Sequence, residues 1–401
     1  MPTTGTGDET ALPLSDITVV DLTQVIAGPF ASMQLGDLGA TVIKLEAVGR
    51  GDRSRSLQPS PAYFDSINRN KRSVAVDLKS EEGQEVAQTL LADADVFIES
   101  TKPGRAESYG LGYETVSALN PELVYCSISG FGRDSPYEEM PAWDMLVQGM
   151  SGIMSITGTE DGPPLWSGLP VGDLIAGSYA VQSVLAALYA RENGEIDGEW
   201  VEVPMFDAAI SWLTARAGHS FGTDEPFPRL GTRHPSIAPF GVFECADDSI
   251  VVPAGTDSLW NGFCRALEAP ELLADERFET LDDRVANREA LLAEVEPIFD
   301  SRPAAEWLER LRDEGVPAGP INDTRSVWDD EHVEHRQLRQ SMPRENRQDA
   351  EVVDSPVHFS ELTTTLEVPP QRLGGSTDDV LSEYGYDDDE IERLRNDDIV
   401  E

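Results

Sequence analysis

The chain has 401 residues, of which 40% are apolar, and this is enough to bury one large core or two smaller ones, with two domains favoured by size. Its 74 acidic and 30 basic residues give a formal net charge of −44, which argues against a nucleic-acid partner. Because the acidic residues lie within segments of regular apolar patterning, the charge indicates the surface of a folded protein and excludes a disordered chain.

The first part of the chain alternates strand-like and helical patterns. Residues 17–22 and 41–46 are apolar runs typical of strands, and Pro29 begins a helical stretch that ends near Gly39, so these segments form a βαβ unit. Further strands are predicted at 73–78, 95–99 and 123–129, with helical segments such as 81–92 between them. The pattern predicts a mostly parallel sheet covered by helices, a Rossmann-like α/β domain.

The later elements indicate a second domain inserted into the first. Asp173 stands before a long apolar helix predicted over 174–191, and 200–203 resumes a strand. The Gly-, Pro- and Arg-rich stretch 222–239 is interpreted as a linker, followed by a hairpin at 242–252 and amphipathic helices near 259–268, 285–299 and 304–314. Residues 352–359 are predicted as a strand that returns to the first domain, with short helices at 378–384 and 389–395 after it. We therefore predict a discontinuous large domain, residues 1–222 and 325–401, and a smaller domain, residues 223–324.

The cysteines and the apolar runs bear on the compartment. Cys126, Cys245 and Cys264 are odd in number and far apart, so they are interpreted as buried small residues, and no disulfide framework or metal site is expected. No apolar run approaches the roughly 20 residues that span a bilayer. Residues 1–12 lack the apolar centre of a secretory leader. We expect a cytoplasmic protein without a membrane partner.

Lysine is confined to the first quarter of the chain, at Lys44, Lys71, Lys79 and Lys102. An acid-rich, lysine-poor surface is what selection in molar salt favours, because the Debye length falls to roughly 3 Å at 1 M and self-repulsion is screened. We infer a halophilic, haloarchaeal protein; a merely acidic cytosolic protein is the alternative. The retained lysines favour contacts with phosphate, although surface salt bridges would explain them equally well.

The turn between the first strand and the first helix contains Gly28 and Pro29 and would let a phosphate approach a helix N-terminus. A tight turn alone explains these two residues as well. The turn lacks the G-x-G-x-x-G fingerprint, which weighs against a nicotinamide oxidoreductase.

The simplest interpretation of Asp173 is a helix N-cap. A catalytic interpretation is compatible with it, because the helix dipole is expected to keep the carboxylate ionised and nearby amides can stabilise a developing oxyanion. At the carboxyl side of an α/β sheet, such a group could attack a thioester carbonyl.

Short motifs along nearly the whole chain resemble those of the class III CoA-transferases, the family of formyl-CoA transferase and the carnitine CoA-transferases. The motifs that carry the resemblance are Pro13-Leu14, Val19-Val20-Asp21-Leu22, Ala27-Gly28-Pro29, Leu38-Gly39-Ala40, Val42-Ile43-Lys44-Leu45-Glu46, Gly51-Asp52, Asn68-Arg69-Asn70-Lys71-Arg72-Ser73, Asp77-Leu78-Lys79, Lys102-Pro103-Gly104, Ser129-Gly130-Phe131-Gly132, Asp173 with Ala176-Gly177, Gly315-Val316-Pro317-Ala318-Gly319-Pro320 and Leu381-Ser382-Glu383-Tyr384-Gly385.

The resemblance implies a large Rossmann-like domain formed by both chain ends, a smaller domain between them, and an interlocked, ring-like homodimer. It makes Asp173 the nucleophile and places Gln24 and Asp144 beside the reacting acyl group. Ala47 and Ser108 stand where many relatives carry a basic residue. The positions at or near CoA contacts are Ile26, Ala47, Val76, Lys79, Ser100, Thr101 and Arg105.

The chemistry that the resemblance implies is acyl exchange through an aspartyl anhydride and an aspartyl-CoA thioester, with CoA thioesters as substrates and no tightly bound cofactor. One alternative is an α-methylacyl-CoA racemase of the same superfamily, but that activity needs a His where this chain has Trp143, which cannot exchange a proton at neutral pH. A non-catalytic acyl-CoA-binding protein is another alternative, against which the placement of Asp173 weighs.

The substrates are expected from metabolic context alone. In a haloarchaeal cytosol, we expect succinyl-CoA as the donor and a C4–C5 dicarboxylate such as mesaconate as the acceptor. Arg229, Arg233 and His234 are candidates for neutralising a second carboxylate, and tying the two domains together is their alternative role.

Overall fold

The computed structural model describes residues 11–58, 62–344 and 347–401. The expectation about a leader in the first residues falls mostly on 1–10, outside this part of the chain. The chain divides into two compact units: the first takes the chain up to Ile153, Trp166–Ala215 and His332–Glu401, and the second takes Met154–Leu165 and Arg216–Glu331.

The elements of the described residues, in chain order, are β1 Thr18–Leu22, α1 Ala27–Asp37, β2 Thr41–Glu46, α2 Ala62–Asp65, β3 Lys71–Ala75, α3 Glu81–Ala92, β4 Val96–Glu99, α4 Arg105–Ser108, α5 Tyr113–Leu119, β5 Val124–Ser129, α6 Asp144–Met150, α7 Ile153–Ile156, α8 Val171–Glu192, β6 Glu199–Pro204, α9 Met205–Ser211, α10 Ala215–Thr223, β7 Phe240–Glu244, β8 Ser249–Pro253, α11 Asp257–Ala266, α12 Glu271–Ala274, α13 Leu281–Ala286, α14 Arg288–Phe299, α15 Ala304–Asp313, β9 Gly319–Pro320, α16 Glu331–Arg336, β10 Arg339–Met342, β11 Ala350–Val353, α17 Thr377–Glu383 and α18 Asp388–Asn396. Short 3₁₀ turns lie at Arg53–Ser56, Glu276–Phe278 and Ser326–Asp329.

The first unit is built on a six-stranded sheet in the order β3-β2-β1-β4-β5-β6. All of its neighbouring strands pair in parallel, which confirms the predicted parallel α/β architecture. The order reverses between β1 and β4, and a doubly wound sheet opens its ligand crevice at such a switch point, outside the carboxyl ends of the strands.

Both faces of this sheet are buried, because successive strand side chains point to opposite sides. In β5, Val124 and Cys126 join the core cluster that includes residues of α1 and α8, while Tyr125 joins the opposite cluster with residues of α3, α17 and α18. This double burial explains why the strands are continuous apolar runs. Cys126, Cys245 and Cys264 are buried and unpaired, as predicted.

Helix α8 is longer than the sequence suggested. It has 22 residues and is long and apolar enough, by length and composition alone, to cross a membrane, so the expectation that no stretch reaches this size was wrong. Its buried face, which includes Ile175, Ala180 and Val184, packs into the core cluster shared with α1. Because this face is buried in the core, α8 is the central core helix of the unit.

The second unit contains the antiparallel sheet β7-β8-β9 and the helices α11 to α15, which share a core cluster of their own. The predicted hairpin is confirmed: β7 pairs with β8, and the N–H of Cys245 donates to the carbonyl of Asp248 at 2.8 Å. Met154–Leu165 also belongs here, which the predicted boundaries at 222 and 325 did not anticipate. The reason is Arg229, whose guanidinium donates to the carbonyls of Ser155 and Gly162 at 3.1 and 2.8 Å.

The C-terminal segment of the first unit differs from its prediction in one respect. The strand expected at 352–359 is the shorter β11, and it pairs with β10 in a separate two-stranded sheet. The acidic run that begins at Asp387 is a helix start, as interpreted: the side chains of Asp387 and Glu390 form a capping box at the beginning of α18.

Candidate active site

The carboxyl edge of the parallel sheet gathers the turns that follow the strands. Gln24 follows β1 and Ser100 follows β4, on the two sides of the switch point. The backbone N–H of Gln24 donates to the Ser100 hydroxyl at 3.4 Å, so these two predicted site residues are neighbours. Helices that follow parallel strands run back along the sheet, and their N-termini lie at this same edge.

Asp173 lies in the first turn of α8, but it is not the N-cap that the sequence predicted. The helix begins at Val171 with Pro170 as its N-cap, so Asp173 is the third helical residue. Three more residues, 171–173, therefore belong to the helix than the sequence predicted. The carboxyl group of Asp173 therefore projects from the first turn of the helix and does not cap its N-terminus.

The helix α1 supplies a donor to this carboxyl group. A hydrogen bond with the backbone of Ala27, the first residue of α1, lowers the pKa of Asp173. The two helices come close at Gly177, one turn after Asp173, where a Cβ would lie 2.6 Å from the Ala27 carbonyl oxygen. Any larger residue there would separate the helices and move the carboxyl group away from the amide.

Asp144, the first residue of α6, takes the capping role at α8. Its Oδ1 accepts the backbone N–H of Gly172 at 2.8 Å, so the carboxylate satisfies one of the free amides of the α8 N-terminus. Its Oδ2 accepts the Gln148 side-chain amide and the Trp166 indole N–H, both at 2.8 Å. Three donors in different directions fix this carboxylate beside Asp173.

The ionisation of Asp173 departs from the sequence-based expectation. Burial raises the pKa of Asp173, the negative charge of Asp144 raises it further, and the Ala27 hydrogen bond only partly opposes them, so that the pKa is about 7. The expectation that the helix dipole keeps the carboxylate ionised took no account of its burial or of the Asp144 charge, which raise the pKa to about 7. A carboxyl group poised near neutral pH is what a tuned nucleophile or acid–base group requires.

The similarity of the chain to known protein families identifies the kind of enzyme that carries this site. The family model for CoA-transferase family III matches residues 14–377. The chain belongs to this family. It is a CoA-transferase with class III activity.

Individual relatives agree with this assignment. The chain is 36% identical over 396 residues, 97% of its length and 90% of the relative's, to the succinyl-CoA:glutarate CoA-transferase of Mus musculus. It is 36% identical over 393 residues, 93% of its length and 97% of the relative's, to the succinyl-CoA:mesaconate CoA-transferase of Haloarcula marismortui. Among solved structures, it is similar to a CAIB/BAIF family protein from Brucella suis, with a TM-score of 0.86 and 35% identity over 93% of this chain and 100% of that chain.

The predicted CoA-contact residues of this CoA-transferase come from turns at or next to the carboxyl edge. Ala47 follows β2 and is partly exposed, Val76 follows β3 and is 1% exposed, and Ile26 is the buried N-cap of α1. The side chains of Lys79 and Arg105 are exposed.

The turn after β4 is held by a buried acid. Glu99 accepts both the backbone N–H and the hydroxyl of Thr101, at 2.8 and 2.6 Å, and it also pairs with Arg133 at 3.1 Å. Since Glu99 is buried at the end of β4, its hydrogen bonds fix the backbone of the turn that contains the predicted CoA-contact residues Ser100 and Thr101.

Two of the lysines do not reach the surface of the transferase. Lys44 and Lys71 are buried and pair with aspartates, so the interpretation of Lys71 as a phosphate ligand was wrong. The phosphate interpretation rested on composition, and composition does not separate the two roles. A protein with few lysines keeps some of them for buried ion pairs as well as for binding anions.

Sequence reasoning missed three residues of the site. Trp166 and Gln148 hold Asp144, and the phenol of Tyr63 in α2 has its pKa raised by burial and then by the charges of Asp173, Asp52 and Asp144. Tyr63 also packs in the small apolar cluster with Ile26 and Leu174. None of these residues stands at a recognisable spacing from Asp173, so only the tertiary structure reveals them.

Three predicted substrate-binding residues lie in the second unit. Arg229 donates to backbone carbonyls, and Arg233 pairs with Glu289 at 2.5 Å. The ring nitrogen Nδ1 of His234 lies 3.2 Å from the N–H of Ser236, and burial and neighbouring arginines lower the pKa of His234. Each of these groups has a partner within the unit, and their role in holding a carboxylate stays a prediction.

Proposed function

We propose that Asp173 is the nucleophile of this CoA-transferase. The proposal rests on one observation: a carboxyl group with a pKa of about 7 hangs from the first turn of α8, beside the fixed charge of Asp144 and within hydrogen-bonding reach of the Ala27 amide. Its anion is available near neutral pH, and the Ala27 amide is a donor for the negative charge that develops when the carboxylate becomes an acyl group.

The proposed reaction is a series of acyl exchanges. An Asp173 carboxylate oxygen attacks the donor thioester carbonyl, the carbon–sulfur bond breaks, and CoA leaves as the thiolate, which gives a mixed anhydride. The thiolate then attacks the Asp173 carbonyl carbon and releases the donor acid, which leaves an aspartyl-CoA thioester. The acceptor carboxylate attacks that thioester to form a second anhydride, and the returning thiolate forms the new acyl-CoA and frees Asp173. Water must be excluded throughout, because both intermediates hydrolyse.

For the substrates, we propose succinyl-CoA as donor and a C4–C5 dicarboxylate, such as mesaconate, as acceptor. The names of the relatives from Mus musculus and Haloarcula marismortui support this class, since each pairs succinyl-CoA with a C5 dicarboxylate. Arg229, Arg233 and His234 are the proposed contacts of the second carboxylate. A dicarboxylate needs a cation that a monocarboxylate of equal length does not, so the two classes are distinguishable by rate.

The acceptor class is tested by supplying succinyl-CoA with matched acids in molar salt and identifying new CoA thioesters by mass. Mesaconate and glutarate are paired with monocarboxylates of the same chain length. Faster transfer to the dicarboxylates is expected. Equal rates for both members of a pair would contradict the proposed acceptor class and leave the nucleophile untouched.

The nucleophile is tested separately, with donor alone under single-turnover conditions. The wild type is expected to carry an acyl or CoA adduct on Asp173, which hydroxylamine converts to a hydroxamate, whereas Asp173→Ala carries none and transfers nothing. Asp207 is a matched control, because it is also the third residue of a helix whose N-cap is a proline. Asp207→Ala should keep the adduct. An adduct on a cysteine, or transfer by Asp173→Ala at a tenth of the wild-type rate, would refute the mechanism.

We also propose an interlocked homodimer that works in a salt-rich cytoplasm. Support for the dimer comes from large apolar side chains on the surface of the first unit, including Trp143 at 66%, Leu169 at 61% and Tyr189 at 73% exposure. Light scattering in molar salt should give twice the chain mass of 43.8 kDa. A monomer at working concentration would remove this part of the proposal.

A further inference from the structure

Two lysines and two aspartates lie buried directly beneath the first strand-to-helix turn. We call Asp21, Lys44, Asp52 and Lys71 the buried quartet; their exposures are 0%, 1%, 1% and 2%. Lys44 Nζ lies 3.0 Å from Asp52 Oδ2 and 3.7 Å from Asp21 Oδ2, and Lys71 Nζ lies 3.2 Å from Asp21 Oδ2. The formal charges of the four groups cancel when both lysines are protonated.

The quartet is fastened to the backbone of the turn at four points. Asp21 Oδ1 accepts the N–H of Thr23 at 2.8 Å, and Lys44 donates to the Thr23 carbonyl at 2.9 Å. Asp52 Oδ1 accepts the N–H of Val25 at 3.1 Å. Lys71 donates to the carbonyl of Pro29 at 2.8 Å, just inside α1. These contacts span the turn from its first residue to the first turn of the helix.

The turn itself has a conformation that its sequence does not favour. Val25 has a φ of 72°, in the left-handed region, and a β-branched residue is rarely found there. Such a conformation persists only when its surroundings impose it, and it tends to occur at functional sites. One contact that holds this conformation comes from Asp52, whose Oδ1 accepts the Val25 N–H at 3.1 Å.

Burying four charges is expensive, and apolar residues of similar size would usually give a fold at least as stable. Stability alone therefore does not account for the quartet. The position of the quartet accounts for it better. The quartet holds the turn that contains Val25, and two residues later is Ala27, whose backbone forms the hydrogen bond with Asp173.

We propose that the buried quartet positions the turn from Thr23 to Ala27 so that the Ala27 amide meets the Asp173 carboxyl group during acyl transfer. Its members are positioning residues that act through the backbone. The inference rests on the proposed role of Asp173 as nucleophile, and it assigns a task to lysines that the sequence had suggested for phosphate.

The consequence that a purely structural role would not produce is a shift of the pH profile. The Ala27 hydrogen bond lowers the pKa of Asp173, so a loosened turn lets that pKa rise, and the acid limb of kcat/KM moves to higher pH. The other charged or titratable groups that face Asp173 are Asp144 and Tyr63. Burial also lowers the pKa of Lys71 to about 7, and the charge of Asp52 opposes that shift. Loss of Asp52 therefore moves the titration of Lys71 to lower pH, opposite in direction to the shift expected for Asp173.

The test compares Asp52→Ala with a matched control, Asp37→Ala. Asp37 ends α1 and is also buried, and it pairs with Arg69 at 2.6 Å, far along the helix from the turn. Both variants leave a buried cation without one partner and should lower the Tm. Only Asp52→Ala is expected to lower kcat, by about ten- to a hundredfold as for a lost hydrogen bond to a charged group, and to move the acid limb to higher pH. Asp52→Asn, which keeps an oxygen toward Val25, should restore most of the rate.

Several outcomes decide the matter. A folded Asp52→Ala with the wild-type limb and kcat, or an equal shift in Asp37→Ala, would overturn the proposal. If Asp52→Ala does not fold, the charge-balanced pair Lys44→Met with Asp52→Asn removes the contact with the Thr23 carbonyl and carries the same comparison. Activity in Asp173→Ala would instead refute the nucleophile, so the two proposals fail separately.

Discussion

Replacing Asp144 with asparagine removes the charge beside Asp173 and nearly preserves the side-chain shape. In the wild type, burial and then this charge raise the pKa of Asp173 to about 7. An opposed or like charge within a few ångströms typically moves a carboxyl pKa by about one to three pH units. We therefore expect the pKa of Asp173 in Asp144→Asn to fall by about one pH unit or more.

The same change weakens the start of α8. The two oxygens of Asp144 accept three N–H donors, from Gly172, Gln148 and Trp166. An asparagine oxygen can serve the last two, and its NH₂ group then faces the Gly172 N–H, which loses its acceptor. The loss of a cap and one unsatisfied donor should destabilise the fold by about 1–2 kcal/mol.

The assay is the pH dependence of kcat/KM between pH 5 and 9 in molar salt at constant ionic strength, with CoA thioesters separated by chromatography. The acid limb of the wild type should lie near pH 7, because only the Asp173 anion attacks the thioester. In Asp144→Asn the limb should lie near pH 6 or below, even if the plateau rate falls. A limb that stays at pH 7 in a folded variant would refute the electrostatic argument, whereas a shift to higher pH would mean that lost orientation outweighs lost charge.

Trp166→Phe removes the indole N–H that holds Asp144 and should lower kcat/KM by about tenfold without changing the KM for the CoA thioester. If Trp166 acts through Asp144, adding this substitution to Asp144→Asn should lower kcat/KM little further, and full additivity of the two effects would contradict the argument. Asp173→Asn should raise the Tm at pH 8 and leave it unchanged at pH 4. The folded pKa of Asp173 lies above its unfolded value, so ionisation of this carboxyl group destabilises the fold only above the unfolded pKa. Equal shifts of the Tm at both pH values would refute this prediction. Transfer of the wild type from molar to 0.01 M salt should lower its Tm or dissociate it, because the Debye length grows to roughly 30 Å, and an unchanged melting curve would exclude the salt-adapted interpretation.

Much of the parallel sheet could be predicted without coordinates. Its strands are buried on both faces and therefore appear as apolar runs, and β2 lies where it was predicted, at Thr41–Glu46. Local signals such as the capping residues Asp387 and Glu390 were equally readable, since they act within one turn of helix. The family motifs identified the chemistry and drew attention to Asp173.

The properties of Asp173 were decided by residues far from it in the chain. Asp144 lies 29 positions earlier, and the Ala27 amide reaches the site only because Gly177 lets two helices touch. A carboxyl pKa depends on burial and on charges in three dimensions, which sequence spacing does not encode. For this reason the local argument from the helix dipole predicted an ionised group, and the structure places the pKa near 7.

The lysines show the same division. Composition singled out Lys44 and Lys71 as unusual in an arginine-rich chain, and that observation was sound. Whether a lysine meets a phosphate at the surface or an aspartate in the core depends on which way its strand faces and on what packs over it. Only the tertiary structure decided this, because the long-range contacts of Lys71 with Asp21 and with the Pro29 carbonyl join segments that are about 40 to 50 residues apart.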